Sequence, residues 1–163
     1  MKKILLPFLL LFTLSLQGAD FFDFSDESYK DDAANAKENG KKAIMIFFSM
    51  ADCPFCSKMK NNVLNQADVI KYYKENFALF EHDIDGQIEI EDFEGNAMTQ
   101  KDFAFQNRVR ATPVIAFFDL EGNKIFSRTG YSNKEEFLIL GKYIAEGKYK
   151  TENFIRYKRA MLK

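Results

Sequence analysis

Residues 43–59 read AIMIFFSMADCPFCSKM. Ala43 to Ser49 is a continuous apolar run of strand length, the pattern of a strand buried on both faces. A short turn follows. Cys53-Pro54-Phe55-Cys56 then opens a segment expected to be helical from about Pro54 to Asn62, with Pro54 in the first turn, where its missing N–H costs nothing. Cys53 and Cys56 are the only two cysteines of the 163 residues. The first sits at a helix N-terminus, where free N–H groups and the dipole favour a thiolate. The second lies one turn inward, close enough to close a ring with it.

Several chemistries compete for this pair. A zinc site needs about four ligands, but His82 is the only histidine and no third cysteine exists, so carboxylates would have to fill the set. Covalent haem needs C-x-x-C-H, and Ser57 follows Cys56. A purely structural disulfide closing so small a loop removes little unfolded-state entropy. Two soft thiolates suit Cu(I), with Met50 and Met59 nearby in sequence, although Met in such a helix is commonly core. A redox dithiol is the favoured reading. It requires that the sulfurs be reachable from solvent and close enough to bond.

Working outward, Ser28–Asn39 reads as a polar surface helix ended by Gly40. A second helix is expected over Ala67–Glu75 and a strand over Ala78–Ile84. Asp85–Met98 is the least regular stretch; Ile88, Ile90 and Phe93 with Gly95-Asn96 suggest a short hairpin or an extended insertion. Thr99-x-x-Asp102 is a capping pattern ahead of a helix to about Asn107. Thr112-Pro113 precedes an apolar strand over Val114–Asp119. Glu121-Gly122-Asn123 makes a tight turn, and Lys124–Arg128 returns as another strand. Ser132 and Glu135 form a capping box for a helix to Glu146, closed by Gly147, and Thr151 is expected to cap a last helix to Met161. No internal repeat or linker is evident. The element order predicts an α/β domain, a mixed central β-sheet flanked by helices, with a right-handed crossover between its first, parallel strands. Phe103, Phe105, Phe117 and Phe118 are expected core, and His82 is expected to be a strand residue without a catalytic role.

Charged residues make up 29% and apolar ones 47%, with a net charge of −1. That balance excludes a disordered chain and gives no field pointing to nucleic acid. Eighteen Phe and no Trp mean an aromatic core. The N-terminus has the basic, apolar, small-residue order of a secretory leader: Lys2-Lys3, then Ile4–Leu16, then Gly18-Ala19. The apolar run is about 13 residues, short of the roughly 20 that a spanning helix needs. The expected division is a cleaved leader over residues 1–19 and a single domain over 20–163, exported to the periplasm or beyond, where disulfides are made and exchanged.

Cys53-Pro54-Phe55-Cys56 after an apolar strand, Thr112-Pro113 before a second one, and Gly122 in the following turn resemble the thioredoxin superfamily. The stretch VRATPVIAFFDLEGNKIFSRTGY (109–131), followed by Glu135-Glu136-Phe137, is similar to secreted bacterial thioredoxin-related proteins of the SoxW type and to the C-terminal domain of the DsbD reductase. The resemblance covers about residues 40–150. It implies a thioredoxin-like fold and thiol–disulfide oxidoreductase activity carried by Cys53 and Cys56. It implies a cis Pro113 lying against the cysteines, with the backbone of Thr112 pairing with substrate like a short added strand. Phe55, inside the motif, is expected at the exposed rim where substrate arrives. The implied partners are protein disulfides and a membrane-bound thiol electron donor; the residues themselves show no evident site for NAD, flavin or metal and no dimerisation segment, so a monomer without a further cofactor is expected. An oxidase or isomerase of the same fold, a Cu(I)-binding module and a non-enzymatic interaction domain are the alternatives.

Three positions depart from the family pattern. Phe47 stands where thioredoxins carry a buried Asp, Asp52 where many carry Trp, and Glu81 where a Lys is usual. The usual proton relay is therefore missing or moved. Glu81 is a candidate relay if it is buried behind Cys56; otherwise it is a solvated strand-edge carboxylate. Asp52 opposes the thiolate, and Lys58 and Lys60 are placed to offset it.

Overall fold

Strand β1 (Ala43–Ser49) runs through the middle of a four-stranded sheet, and all seven of its residues are buried, as its unbroken apolar run predicts. The computed structural model describes residues 20–162; the leader predicted over residues 1–19 lies outside the described residues. On one side β1 pairs in parallel with β2 (Phe77–Asp83), and on the other antiparallel with β5 (Val114–Phe118), which pairs with β6 (Lys124–Thr129). The order is β2-β1-β5-β6, the mixed sheet expected. The β1–β2 crossover passes through α2 (Pro54–Met59), a π-helical turn (Lys60–Leu64) and α3 (Ala67–Asn76).

Side chains alternate between the two faces. Met45, Phe47, Leu79, Ile115 and Phe117 pack against α2, α3, α5 (Lys134–Ala145) and α6 (Phe154–Met161), in the core cluster that also holds Cys53 and Cys56. The Tyr73 and Phe137 rings stack there at 4.1 Å, and the Tyr73 hydroxyl donates to the Phe137 carbonyl at 2.6 Å. Ile44, Ile46, Phe48, Phe80 and Phe118 face the other way, against α1 (Tyr29–Glu38) and α4 (Gln100–Gln106). The helix read as a polar surface element thus buries Tyr29, Asp32, Ala33 and Ala36.

The outer edge of β2 is covered by residues 20–25, a stretch without periodicity in the sequence. Asp23 N–H donates to the Leu79 carbonyl at 2.7 Å, its Oδ2 accepts from Leu79 N–H at 2.9 Å, and Lys74 pairs with its carboxylate at 2.7 Å. Covering the edge removes a pairing template that would otherwise be open to other chains.

The irregular stretch after β2 is a loop followed by a separate ribbon of β3 (Glu89–Glu91) and β4 (Ala97–Thr99). Its turn, Asp92-Phe93-Glu94-Gly95-Asn96, repeats the one between β5 and β6, Asp119-Leu120-Glu121-Gly122-Asn123. In each, the Asp Oδ1 accepts from the N–H groups two and four residues on. The two turns touch: a Cβ on Gly122, whose φ is 87°, would meet the Phe93 Cβ at 2.3 Å. Each copy of this five-residue recurrence is only one turn long, so it leaves no internal repeat visible at the scale of an element.

Three local expectations are corrected. Helix α5 is capped by Asn133, whose side chain accepts from Glu136 N–H, and not by Ser132, whose buried hydroxyl has no hydrogen-bond partner among the described residues. Helix α6 is capped by Asn153, not Thr151. Phe105 is 77% exposed, while Phe103 is core; positions two apart on a helix are turned about 200° from each other, so both cannot face inward. The Thr99 cap is where the T-x-x-D pattern puts it, accepting from Asp102 N–H.

Candidate active site

The parallel strands β1 and β2 end at the same pole of the sheet, and the two loops that leave them build the site. In α/β sheets ligands are bound outside such carboxyl ends. Cys53 is the N-cap of α2, and its Sγ accepts the Cys56 backbone N–H at 3.1 Å. The two cysteines form a disulfide, with an S–S distance of 2.04 Å and Cα atoms 5.2 Å apart. The requirement that they be close enough to bond is met.

Access is narrow. Cys53 is 5% exposed and Cys56 3%, so both belong to the buried core, and the solvent access that the redox reading requires is found only where Cys56 lines an open cleft. Different groups border the two sides of the disulfide. On the Cys53 side, Val114 lies opposite Phe48 in the β1–β5 register, which brings Thr112-Pro113 to the pole where β1 gives way to the cysteine loop. The Thr112-Pro113 bond is cis, and the Pro113 carbonyl accepts from Gly130 N–H at 2.8 Å. Thr112 Oγ1 is buried and has no hydrogen-bond partner among the described residues. Phe55 is 57% exposed at the rim, where its place in the motif predicted it. Tyr131 follows Gly130, and the Lys58 ammonium lies 4.7 Å from its ring centroid; the sequence offered no signal for this cation–π contact, which ties α2 to the loop after β6.

On the other side, Cys56 lines an open cleft of about 680 Å³ together with Ser49, Met50, Lys60, Glu81 and the loop after β2. Parity along β2 puts Glu81 on the same sheet face as Phe77 and Leu79, directly beside Phe47 in the register. It is not buried behind Cys56: its side chain is 33% exposed, it accepts from Ser49 Oγ at 2.5 Å, and it is ion-paired with Lys60. The burial that a relay role required is absent, and the solvated strand-edge alternative describes the residue. Phe47, at the position of the missing carboxylate, is fully buried beside the Phe22 ring, 5.8 Å away. Both lysines expected to offset Asp52 have other partners, Lys58 with Tyr131 and Lys60 with Glu81. Met59 is fully buried in the core, whereas Met50 is 37% exposed at the cleft.

His82 stands behind β2, on the opposite face. It is fully buried, its Nδ1 lies 2.7 Å from the Tyr29 hydroxyl and its Nε2 2.7 Å from the Gln100 carbonyl. Burial pushes its pKa down to about 4. A neutral ring that donates to Gln100 and accepts from Tyr29 satisfies every partner, which is a structural role.

The thioredoxin-like domain family model matches residues 29–145 of the chain. The chain belongs to that family. No curated protein sequence matches it. Among solved structures, a thioredoxin-fold protein from Helicobacter pylori is similar at 22% identity with a TM-score of 0.67, over 87% of this chain and 94% of that one. DsbH oxidoreductase is similar at 18% identity and a TM-score of 0.57, over 84% and 92%. The C-terminal domain of Neisseria meningitidis DsbD, in its oxidised form, is similar at 18% identity and 0.53, over 69% and 88%. Identities this low establish the shared fold. With the fold, the family and a disulfide-forming C-x-x-C at the start of α2, the thioredoxin-like chain is a thiol–disulfide oxidoreductase.

Proposed function

We propose that this thioredoxin-like protein works in the periplasm or another exported compartment, reduces disulfides of protein partners, and is recharged by a membrane-bound thiol donor. The basic–apolar–small order of residues 1–19 supports export, and the likeness to the C-terminal domain of a reductase supports the direction. The observation that carries the reading is the placement of Cys53 Sγ at a helix N-terminus, accepting the Cys56 N–H, at the pole it shares with cis Thr112-Pro113.

In the reduced state that hydrogen bond and the helix dipole stabilise a thiolate on Cys53. The thiolate attacks a substrate disulfide, forms a mixed disulfide and expels one substrate thiolate. Cys56, as thiolate, then attacks the Cys53 sulfur and expels the second. Two electrons pass to the substrate, its thiolates take up two protons, and Cys53–Cys56 is left oxidised. Thr112 supplies backbone groups for an extended substrate segment, Pro113 shapes the wall beside it, and Phe55 meets it at the rim. No further cofactor enters this cycle.

The test is to express Cys56→Ser in the exported compartment and isolate mixed disulfides formed through Cys53. The expected catch is protein partners, a membrane thiol carrier among them. A titration against glutathione should place the couple nearer the thioredoxin value of about −270 mV than the isomerase value of about −180 mV. A potential at the oxidising end would reverse the assigned direction and favour the oxidase reading.

A further inference from the structure

We propose that the cleft beside Cys56 is a docking groove for a polypeptide partner carrying basic and apolar side chains next to its reacting cysteine, and that the loop after β2 confers this preference. The inference rests on the exchange reading above and adds the chemistry of the partner.

The cleft is part of the reacting centre, because Cys56 lines it. Whatever occupies it lies against the disulfide. Its far wall is residues 85–88. Ile84 N–H donates to the Ser49 carbonyl at 2.9 Å, which extends the β1–β2 pairing by one step and fixes where the loop departs. The loop is then pinned to α4: Lys101 N–H donates to the Gly86 carbonyl and Gln100 N–H to the Ile88 carbonyl, both at 3.0 Å. Gly86 sits so close to Gln100 that a Cβ there would meet its Oε1 at 2.0 Å. The wall is built before a partner arrives, and a preformed groove loses little entropy on binding.

The groove carries a net negative charge. Glu81, Asp83 and Asp85 line it against a single cation, Lys60, which Glu81 already engages. Asp83 and Asp85 have no ion-pair partner among the described residues. They belong to a run, residues 81–94, that holds seven carboxylates and no Lys or Arg and extends the negative field away from the cysteines. The groove also has an apolar element at its mouth: Ile88 is 52% exposed and Met50 37%. No group of three or more His, Cys, Asp or Glu able to hold a metal ion occurs among the described residues, so the carboxylates do not form an ion cage. A basic side chain on Asp83 and Asp85, with an apolar neighbour against Ile88 and Met50, satisfies both elements. Electrostatic complementarity of this kind selects partners and speeds encounter.

The experiment compares three disulfides as substrates of the full chain: hydroxyethyl disulfide, which is small and neutral, and two peptide disulfides identical except for Lys or Glu flanking the cysteine. The wild type should reduce the Lys peptide with a kcat/KM about tenfold above that of the Glu peptide at low salt, since two exposed opposite-charge contacts replace two like-charge ones. That ratio should shrink in 0.5 M salt. In the double variant Asp83→Asn with Asp85→Asn it should fall towards one. Ile88→Ser should raise KM for both peptides relative to the wild type. Hydroxyethyl disulfide reports the intrinsic exchange rate of each protein, and the peptide rates of each variant are read relative to it. Equal rates for the two peptides with the wild type, or an undiminished ratio in the double variant, would overturn the inference while leaving the exchange chemistry intact. Failure of the wild type to reduce hydroxyethyl disulfide would overturn the exchange reading, and this inference with it.

Discussion

The two faces of the central sheet bury different kinds of chemistry. The face that carries Cys53 and Cys56 is filled with Met45, Phe47, Leu79, Ile115 and Phe117, and Phe47 takes the place where the wider family keeps a carboxylate. The opposite face buries His82, Asp32 and the Tyr29 hydroxyl among its apolar side chains. The interior groups that titrate in the acid-to-neutral range, His82 and Asp32, are therefore separated from the redox centre by the thickness of the sheet. pH should act on the stability of the protein through one face and on thiol exchange through the other.

The largest expected effect lies on the face away from the cysteines. Burial lowers His82 from 6.5 to about 4, so it contributes stability that is present above its unfolded pKa and lost as pH falls towards 4, by about 3 kcal/mol in full. Asp32 runs the other way. Burial raises it from 3.8 to about 6, opposed by the Ser25 hydrogen bond and reinforced by Asp26, Asp31 and Asp23. Its contribution is present below pH 3.8 and lost as pH rises through about 6, again by about 3 kcal/mol. Between about pH 4 and 6 the two oppose each other. Asp32→Asn should stabilise the protein at pH 7 by up to about 3 kcal/mol, with a gain that vanishes below pH 4. His82→Gln should cost stability at pH 7 and cost progressively less on acidification. Urea unfolding of the three proteins from pH 4 to 7 checks both, and stability curves that stay parallel would refute the assignment.

A smaller effect sharpens the comparison on the cysteine face, where α5 packs. Asn133 makes the cap and Ser132 does not. Asn133→Ala should cost about 1 kcal/mol, whereas Ser132→Ala removes a buried hydroxyl that has no partner among the described residues and should be neutral or mildly stabilising. Thermal unfolding of the two variants distinguishes them, and equal losses would restore Ser132 as a contributor.

Much of the architecture is legible in the residues because it depends on local pattern. The unbroken apolar run 43–49 dictates a central strand, and Thr99-x-x-Asp102 dictates a helix start. Cys53-Pro54-Phe55-Cys56 dictates a dithiol at a helix N-terminus. The illegible parts depend on pairings between distant elements. Lys60, at the end of α2, meets Glu81 on β2, a pairing across the crossover that no local pattern announces. Ser132 and Asn133 are consecutive and both able to cap, so only the backbone decides between them. The stretch 85–98 is short of apolar residues, and its β3–β4 ribbon forms outside the main sheet. Its placement beside Cys56 follows from the Ile84–Ser49 hydrogen bond and the contacts to α4, which no periodicity announces.

The central claim is that Cys53 is the attacking sulfur and Cys56 the resolving one. Reduced protein treated briefly with iodoacetamide near pH 6, then mapped by mass spectrometry, addresses it directly, because only a thiolate reacts at a useful rate. The account predicts alkylation at Cys53 with Cys56 spared, and loss of disulfide reduction in step with that labelling. Labelling first at Cys56, or at neither cysteine, would contradict it.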